Sequence, residues 1–284
     1  MLKRSETVWD PIVCEIELAS YISNNEIMSI KQDTFIHNRK LERVYLANNN
    51  ITDIHPLTFR NNVKLVHLDF SENNINFIDK DTFIHNRQLK TIRLEGNSIT
   101  DIHPNTFQNQ RRLKYLYMFK KLTTIYPDTF IYNGDLLSIA LGRNSVSYIG
   151  ASTFGNNSEL RILNLSGNNI TAIYSDTFNY NKVLQSLELQ RNCISDIHVT
   201  TFRNNSRLRR LDISRNNIAH FNQTRLFAGM NLTYLEFRCG WVGVVSVLQA
   251  EAQLQHGYHS NPTTPKLQHT PNQEQYDQCG NSTE

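Results

Sequence analysis

The chain has 284 residues, a hydrophobic content of 39% and a net charge of +3, values that describe a soluble protein of one elongated domain. Lys and Arg are scattered among Asp and Glu along the sequence, without a basic stripe that carries stacking aromatics. Composition and charge therefore argue against a nucleic-acid partner.

The chain begins with a segment, residues 1–26, that we predict to be a degenerate N-terminal cap. Its first 16 residues contain no apolar run long enough for a signal peptide, and Cys14 stands alone. Ile22, Ile27 and Phe35 fit an irregular first repeat, as expected for a terminal unit.

Residues 27–240 are built from repeats of the form Leu-x-x-Leu-x-Leu-x-x-Asn-x-Ile-x-x-Ile, with a Phe five residues later. The alternating apolar residues predict a strand with one buried face, and a repeat of this length predicts parallel strands. Seven of the eight intervals between first leucines are 24 residues and one is 23; these leucines are Leu41, Leu65, Leu89, Leu113, Leu136, Leu160, Leu184, Leu208 and Leu232.

Two asparagine series and one aromatic series recur with the strands. An Asn follows each strand, where its carboxamide can bond backbone groups freed by a turn, which predicts an asparagine ladder. A second Asn follows each Phe by three residues, where we expect a left-handed residue at the end of a short helical turn. The ladder positions are Asn49, Asn73, Asn97, Asn144, Asn168, Asn192 and Asn216; the phenylalanines, predicted to stack, are Phe59, Phe83, Phe107, Phe130, Phe154, Phe178 and Phe202.

This pattern resembles the leucine-rich-repeat family, in the 24-residue form of extracellular animal proteins such as Toll-like, Slit-like and secreted immune or developmental proteins. The resemblance covers roughly residues 27–237. It implies an α/β horseshoe solenoid with a parallel sheet on the concave face and short helical or irregular turns on the convex face. It also implies a non-enzymatic module that binds other molecules, often proteins, through the concave sheet.

The repeat that begins at Leu113 is one residue short and lacks its ladder Asn. Either this is tolerated drift, or the irregular repeat shapes a binding site. After the repeat at Leu208 the pattern decays. Residues 241–284 are predicted to hold an apolar segment, too short for a membrane span, and a disordered tail.

No motif for a metal, a cofactor or catalysis is visible in the sequence. The four cysteines lack metal-ligand spacing and allow three pairings; a Cys239–Cys279 bond is one guess, and Cys193 is expected to be a buried apolar filler. The related His55 and His103 lie two repeats apart, too far for one metal ion. We therefore expect no enzyme, no cofactor and no metal site.

The outward strand positions fall into three columns on the predicted concave face. Exposed aromatics and Arg are typical of binding hot spots, and three aromatics project from the irregular repeat near Arg93. These aromatics either anchor a ligand or shield one another. The predicted ligand-binding residues are Tyr45, His67, Asp69, Arg93, Tyr115, Tyr117 and Phe119.

The C-terminal half of the middle column is acidic, with Glu188, Asp212 and Glu236 on successive strands. Like charges opposite each other on adjacent strands are unfavourable. We expect nearby arginines to neutralise them, with a patch for a basic ligand as the alternative; these arginines are Arg191, Arg210, Arg215 and Arg238.

The sequence contains eight Asn-x-Ser/Thr sequons. One of them, Asn164, lies in the middle column, where a glycan would block the sheet and leave the N-terminal half as the binding surface. The predicted glycosylation sites are Asn50, Asn156, Asn169, Asn204, Asn222 and Asn231.

The resemblance implies an extracellular or secreted protein of innate immunity or cell signalling that binds a protein, glycan or lipid. The partner would be a protein ligand or receptor, and no segment of the chain is expected to span a membrane. The rival hypothesis is an intracellular structural scaffold or adaptor, which the missing leader and missing cysteine caps favour.

Overall fold

The computed structural model of the chain describes residues 18–219 and 223–237. Its strands are β1 (Ala19–Tyr21), β2 (Arg43–Tyr45), β3 (His67–Asp69), β4 (Thr91–Arg93), β5 (Tyr115–Tyr117), β6 (Ser138–Ala140), β7 (Ile162–Asn164), β8 (Ala172–Ile173), β9 (Ser186–Glu188), β10 (Asp196–Ile197), β11 (Arg210–Asp212) and β12 (Tyr234–Glu236). One helix, α1, covers Gln223–Leu226. The order β1-β2-β3-β4-β5-β6-β7-β9-β11-β12 makes one ten-stranded sheet, and β8 pairs with β10.

The ten-stranded sheet is parallel and keeps one register throughout, which confirms the predicted solenoid. Tyr45 pairs with Asp69, and Asp69 pairs with Arg93, so residues one repeat apart become neighbours. The middle residue of each strand points into the core and is buried. These residues are Ser20, Val44, Leu68, Ile92, Leu116, Ile139, Leu163, Leu187, Leu211 and Leu235.

The returning segments of the repeats are turns rather than helices. α1 is the only helix in the described ranges, so the irregular form of the two predicted convex forms is the one observed. The phenylalanines stack as expected, with ring centroids 5.5 Å apart for Phe35 and Phe59 and 6.0 Å apart for Phe130 and Phe154.

The first strand lies inside the predicted cap of residues 1–26. β1 pairs with β2 in the register of the regular repeats, although Ser20 and Ile22 stand where later repeats have large aliphatic residues at both positions. The rest of the predicted cap, the segment 241–284, the Cys239–Cys279 pair and Asn222 lie outside the described residues.

The predicted asparagine ladder joins successive coils, and Asn73 shows its geometry. The Asn73 Nδ2 group donates to the carbonyls of Leu46 (2.9 Å), Phe70 (3.1 Å) and Ser71 (3.1 Å). Its Oδ1 atom accepts from the Ile51 N–H at 3.0 Å. Leu46 and Ile51 belong to the preceding repeat, so each ladder Asn closes its own turn and ties it to the coil before.

The second asparagine series forms another ladder and does not adopt the left-handed conformation that we predicted. Asn62 Nδ2 donates to the carbonyls of Phe35 (2.9 Å) and Asn38 (2.8 Å), again one repeat back. The left-handed residues instead precede the first ladder directly, as at Asn48 (φ 55°) before Asn49. The prediction failed because the backbone turns sharply after the strand, and the turn after the Phe keeps negative φ.

The irregular repeat leaves a gap in the first ladder. Lys121 stands at the ladder position, and no side chain of the described residues accepts from the Ile99 N–H, the donor that a ladder Asn would serve. A cavity of about 10 Å³ opens there, lined by Leu94, Asn97, Ile99, Met118, Phe119, Leu122 and Asn144.

A glycine beside this gap lets an ion pair form across two repeats. Lys120 Nζ lies 3.0 Å from Glu72 Oε2, over Gly96. A Cβ atom at Gly96 would lie 2.4 Å from the Glu72 carboxyl carbon, and Gly96 has φ of +79°. Gly96 therefore satisfies both the backbone turn and the space that the Glu72 side chain occupies.

The ladder predicts a sharp contrast between two adjacent asparagines. Asn73→Ala should lower the free energy of unfolding by about 2–4 kcal/mol, because it leaves a buried N–H and buried carbonyls without partners. Asn74 is exposed and its side chain makes no hydrogen bond in the described structure, so Asn74→Ala should change stability by less than about 0.5 kcal/mol. Urea unfolding of both variants is the measurement, and equal losses would contradict the ladder's role.

Candidate functional site

The concave face presents the three predicted columns of side chains. Tyr45, Asp69, Arg93 and Tyr117 occupy one column on four adjacent strands, as expected. His67 and Tyr115 lie in the column beside them. The register therefore brings six of the seven predicted ligand-binding residues together on the N-terminal half of the sheet.

An aromatic stack occupies the N-terminal end of this surface. The rings of Tyr21 and Tyr45 are parallel, with centroids 4.9 Å apart and an angle of 7° between planes. The His67 ring lies 4.9 Å from Tyr45 on the next strand. Tyr21 is 75% exposed and was missed by the sequence analysis, although it lies 24 residues before Tyr45.

Arg93 connects the two halves of this surface through charge. Its guanidinium hydrogen-bonds Glu95, with Nε 2.8 Å from Oε1, and its Nε lies 3.8 Å from Asp69 Oδ2. Its Cζ atom lies 5.4 Å from the Tyr117 ring centroid, within cation–π range. The hydrogen bond with Glu95 is the main cause that raises the pKa of Arg93.

Asp69 is held for this pairing by its own strand. Its Oδ1 atom accepts from the Ser71 N–H at 3.0 Å and from the Ser71 hydroxyl at 2.6 Å, and the residue is buried. Arg93 therefore sits between two fixed carboxylates and presents a guanidinium that is 44% exposed. The sequence predicted its position and missed its neutralisation.

The aromatics of the irregular repeat separate into two environments. Tyr115 is 37% exposed, and Tyr117 is half-buried, with burial as the main cause that raises the pKa of its phenol. Phe119 is half-buried too and lines the cavity at the ladder gap. Phe119 thus fills space near the missing Asn, while Tyr115 and Tyr117 are presented on the sheet.

The acidic column of the C-terminal half is only partly neutralised by arginines. Arg210 Nε lies 3.7 Å from Glu188 Oε1, and its Cζ lies 3.9 Å from the Tyr234 ring centroid. Asp212 is held by Ser214, and Tyr234 donates its hydroxyl to Glu236. Arg191 and Arg215 make no ion pair in the described ranges, and Arg238 lies outside them.

The predicted glycosylation sites differ in their surroundings. Asn50 and Asn231 are exposed, and Asn156 is exposed while its Nδ2 donates to the Ile131 carbonyl at 3.1 Å. Asn169 and Asn204 are half-buried. In the concave sequon, Asn164 Nδ2 donates to Glu188 Oε2 at 2.6 Å and Oδ1 accepts from Ser166. Asn164 is thus engaged in the same column that a glycan there would block.

Cys193 is buried, as predicted, but it is disulfide-bonded rather than an apolar filler. The other three cysteines lie outside the described residues. Among the residues described, no group of three His, Cys, Asp or Glu side chains is placed to hold a metal ion. The same residues include no helix with the length and hydropathy of a membrane span.

A profile of the family described as the BspA type leucine-rich repeat region matches residues 13–137 and 123–242, which together are most of the chain. The chain belongs to the leucine-rich-repeat family. The family prediction is thereby confirmed, although the matching profile is of the BspA type and not specific to extracellular animal proteins. Leucine-rich repeats serve generally as non-enzymatic scaffolds that bind proteins or other ligands.

Solved leucine-rich-repeat structures share this fold at low sequence identity. A protein of Leptospira interrogans matches with a TM-score of 0.64 at 20% identity, covering 77% of this chain and 55% of that one. The ectodomain of the Arabidopsis thaliana receptor kinase GASSHO1/SCHENGEN3, in complex with CASPARIAN STRIP INTEGRITY FACTOR 2, gives 0.63 at 22% identity and covers 77% and 27%. TLR13 in complex with ssRNA13 gives 0.54 at 22% identity and covers 76% and 28%.

The leucine-rich-repeat chain spans about a quarter to a half of the length of these three proteins. No curated protein matches it in sequence. The likeness therefore concerns the fold, and the candidate site rests on this chain's own residues.

The surroundings of His67 predict a loss of stability on acidification. Burial is the main cause that lowers the pKa of His67 below 6.5; Asp69 opposes the shift, and Arg93 and Arg43 add to it. On acidification the unfolded chain binds the proton first, so stability should fall as the pH drops below about 6.5 and level off below the folded pKa.

Urea unfolding at a series of pH values measures this effect, and His67→Gln should remove that part of the pH dependence. A proton NMR titration of His67 gives the pKa directly. A pKa at or above 6.5 would contradict the assigned surroundings.

Proposed function

We propose that the chain is a non-enzymatic recognition module that binds a protein or peptide ligand with the N-terminal half of its concave sheet. The observation that carries the proposal is the continuous surface of Tyr21, Tyr45, His67, Arg93 and Tyr117 on adjacent strands. Tyr, Trp and Arg are the residues enriched at hot spots of protein interfaces.

The rigidity of this surface supports binding. Strands hold its backbone, stacking holds Tyr21 against Tyr45, and two carboxylates hold Arg93. Side chains fixed before binding lose less conformational entropy when a ligand arrives. Arg93 is partly neutralised, so it offers directional N–H donors without a large field.

We further propose an extracellular setting, such as innate immunity or cell signalling. The disulfide at Cys193 supports it, because disulfides persist in oxidising compartments. Exposed sequons at Asn50 and Asn231 support it as well.

The binding proposal is tested with random peptides displayed on phage and selected against the wild-type chain. Tyr45→Ala and Tyr117→Ala should each weaken selected peptides at least about tenfold, or about 1.4 kcal/mol, because hot-spot aromatics lose their contacts. Tyr180→Ala is the matched control, since Tyr180 is 63% exposed and lies outside the sheet strands.

Fluorescence polarisation gives the dissociation constants, and thermal unfolding checks that each variant is folded. Peptides that depend on Tyr180 and tolerate both concave variants would overturn the proposal. A selection that yields no peptide with measurable affinity counts against a peptide-binding surface in the same way.

The extracellular setting is tested by expression in animal cells behind a strong signal peptide. We expect secretion, a mobility shift on N-glycosidase treatment that becomes smaller in Asn50→Gln and Asn231→Gln, and no alkylation of Cys193 before reduction. Retention of the fused form, with a soluble unfused form in the cytosol, would favour the intracellular scaffold instead.

A further inference from the structure

Four consecutive repeats carry a group of cations on one edge of the solenoid, in the turn and first residues before each strand. In the sequence they are separated by 24-residue intervals, and the fold brings them together. We call this group the basic flank; it consists of Arg39, Lys40, Arg43, Lys64, Arg87, Lys90, Arg111, Arg112 and Lys114.

The register arranges the basic flank in columns. Position 39 of the first of these repeats recurs as 63, 87 and 111, and position 40 recurs as 64, 88 and 112, so that three of the four side chains in either column are basic. Adjacent strands are roughly 4.8 Å apart, so the flank extends roughly 14 Å along the solenoid. Eight of its nine side chains are exposed, and Lys114 is half-buried.

Little in the described structure neutralises these cations. None of the nine forms an ion pair there, and Arg112 donates only to the neutral Gln88, at 2.6 Å. Glu42 is the only acidic residue among the stacked positions and is half-buried. Stacked like charges are unfavourable, so the arrangement costs stability that no contact within the described chain offsets.

The opposite edge of the same repeats has the reverse charge. The turns after the strands carry Asp53, Glu72, Glu95 and Asp101, and the one Lys there, Lys80, lies 2.7 Å from Asp81. The N-terminal half is therefore polarised across its width. A polyanion approaching this half would be steered to the basic flank and away from the other edge.

We propose that the basic flank binds a sulfated polysaccharide. Such a chain presents fixed negative charges at short intervals and needs only matching cations. The proposal goes beyond the peptide surface above, and it rests on the extracellular setting only for the source of the natural ligand.

The composition of the flank favours this partner over other polyanions and surfaces. Its stacked positions hold no aromatic residue on which bases could stack, and the neighbouring Tyr45 ring is packed against Tyr21 and His67. Val63 is its only exposed large hydrophobic residue, so it lacks the apolar face that enters a membrane and the apolar core of a protein interface.

The proposal is tested by binding of the full chain to heparin at an ionic strength of about 0.15 M. A quadruple variant, Lys40→Gln, Lys64→Gln, Arg87→Gln and Arg111→Gln, should bind at least about tenfold more weakly, because four contacts that release counterions are lost. The slope of log affinity against log salt should fall by roughly three in magnitude for the same reason.

The matched control removes the same number of Lys and Arg from exposed positions elsewhere, with Lys121→Gln, Arg143→Gln, Lys182→Gln and Arg191→Gln. It should retain heparin affinity within about twofold, because it leaves the flank intact. Equal losses in both variants would show that net charge alone acts, and would overturn the proposal. Circular dichroism melting establishes that both variants fold.

Three further probes separate the possible partners. Desulfated heparin should bind far more weakly than heparin, whereas equal binding would overturn the role of sulfate. Tighter binding of single-stranded RNA, or of phosphatidylserine vesicles, than of heparin would assign the flank to a different partner. Failure of the wild type to bind heparin would overturn the proposal and leave the peptide surface untouched, because the phage selection reads a different face.

Discussion

The bond network of the first asparagine ladder is the constraint on which the rest of the structure depends. One carboxamide satisfies an N–H and carbonyls of two successive coils at once, and it can do so only where the preceding residue turns sharply. This requirement fixes the distance from strand to turn in every regular repeat. A fixed distance keeps the strands in register, and the register turns scattered positions of the sequence into continuous columns on the surface.

The gap in the ladder shows what happens where this constraint is released. Without an Asn at position 121 the repeat shortens by one residue, Lys120 adopts φ of 115° instead of values near 55°, and a small cavity opens beside Phe119. The strand itself stays in register, because β5 still pairs residue for residue with β4 and β6. Inter-strand bonds therefore tolerate one missing rung, and the change is confined to the turn and to the aromatic that covers it.

Much of this architecture could be predicted from the sequence, because a 24-residue period with alternating apolar residues has few physical solutions. The concave columns followed from counting, and Tyr45, Asp69, Arg93 and Tyr117 lie where counting placed them. Counting could not reveal side-chain geometry, such as the two carboxylates beside Arg93. Tyr21 was missed because its repeat lacks the leucines that mark a strand, and the basic flank because its members are never adjacent in sequence.

The basic flank and the candidate peptide surface are electrostatically coupled, because they share a border on the sheet. Arg43 belongs to the flank and lies in the same outward column as His67, the residue paired with it on the next strand. Its charge contributes to the lowered pKa of His67. An anion that neutralises Arg43 would remove part of that effect and raise the His67 pKa, so protonation of His67 and anion binding favour each other. Since coupling between two binding events is reciprocal, mild acidity would strengthen anion binding and change the charge beneath Tyr45 at the same time.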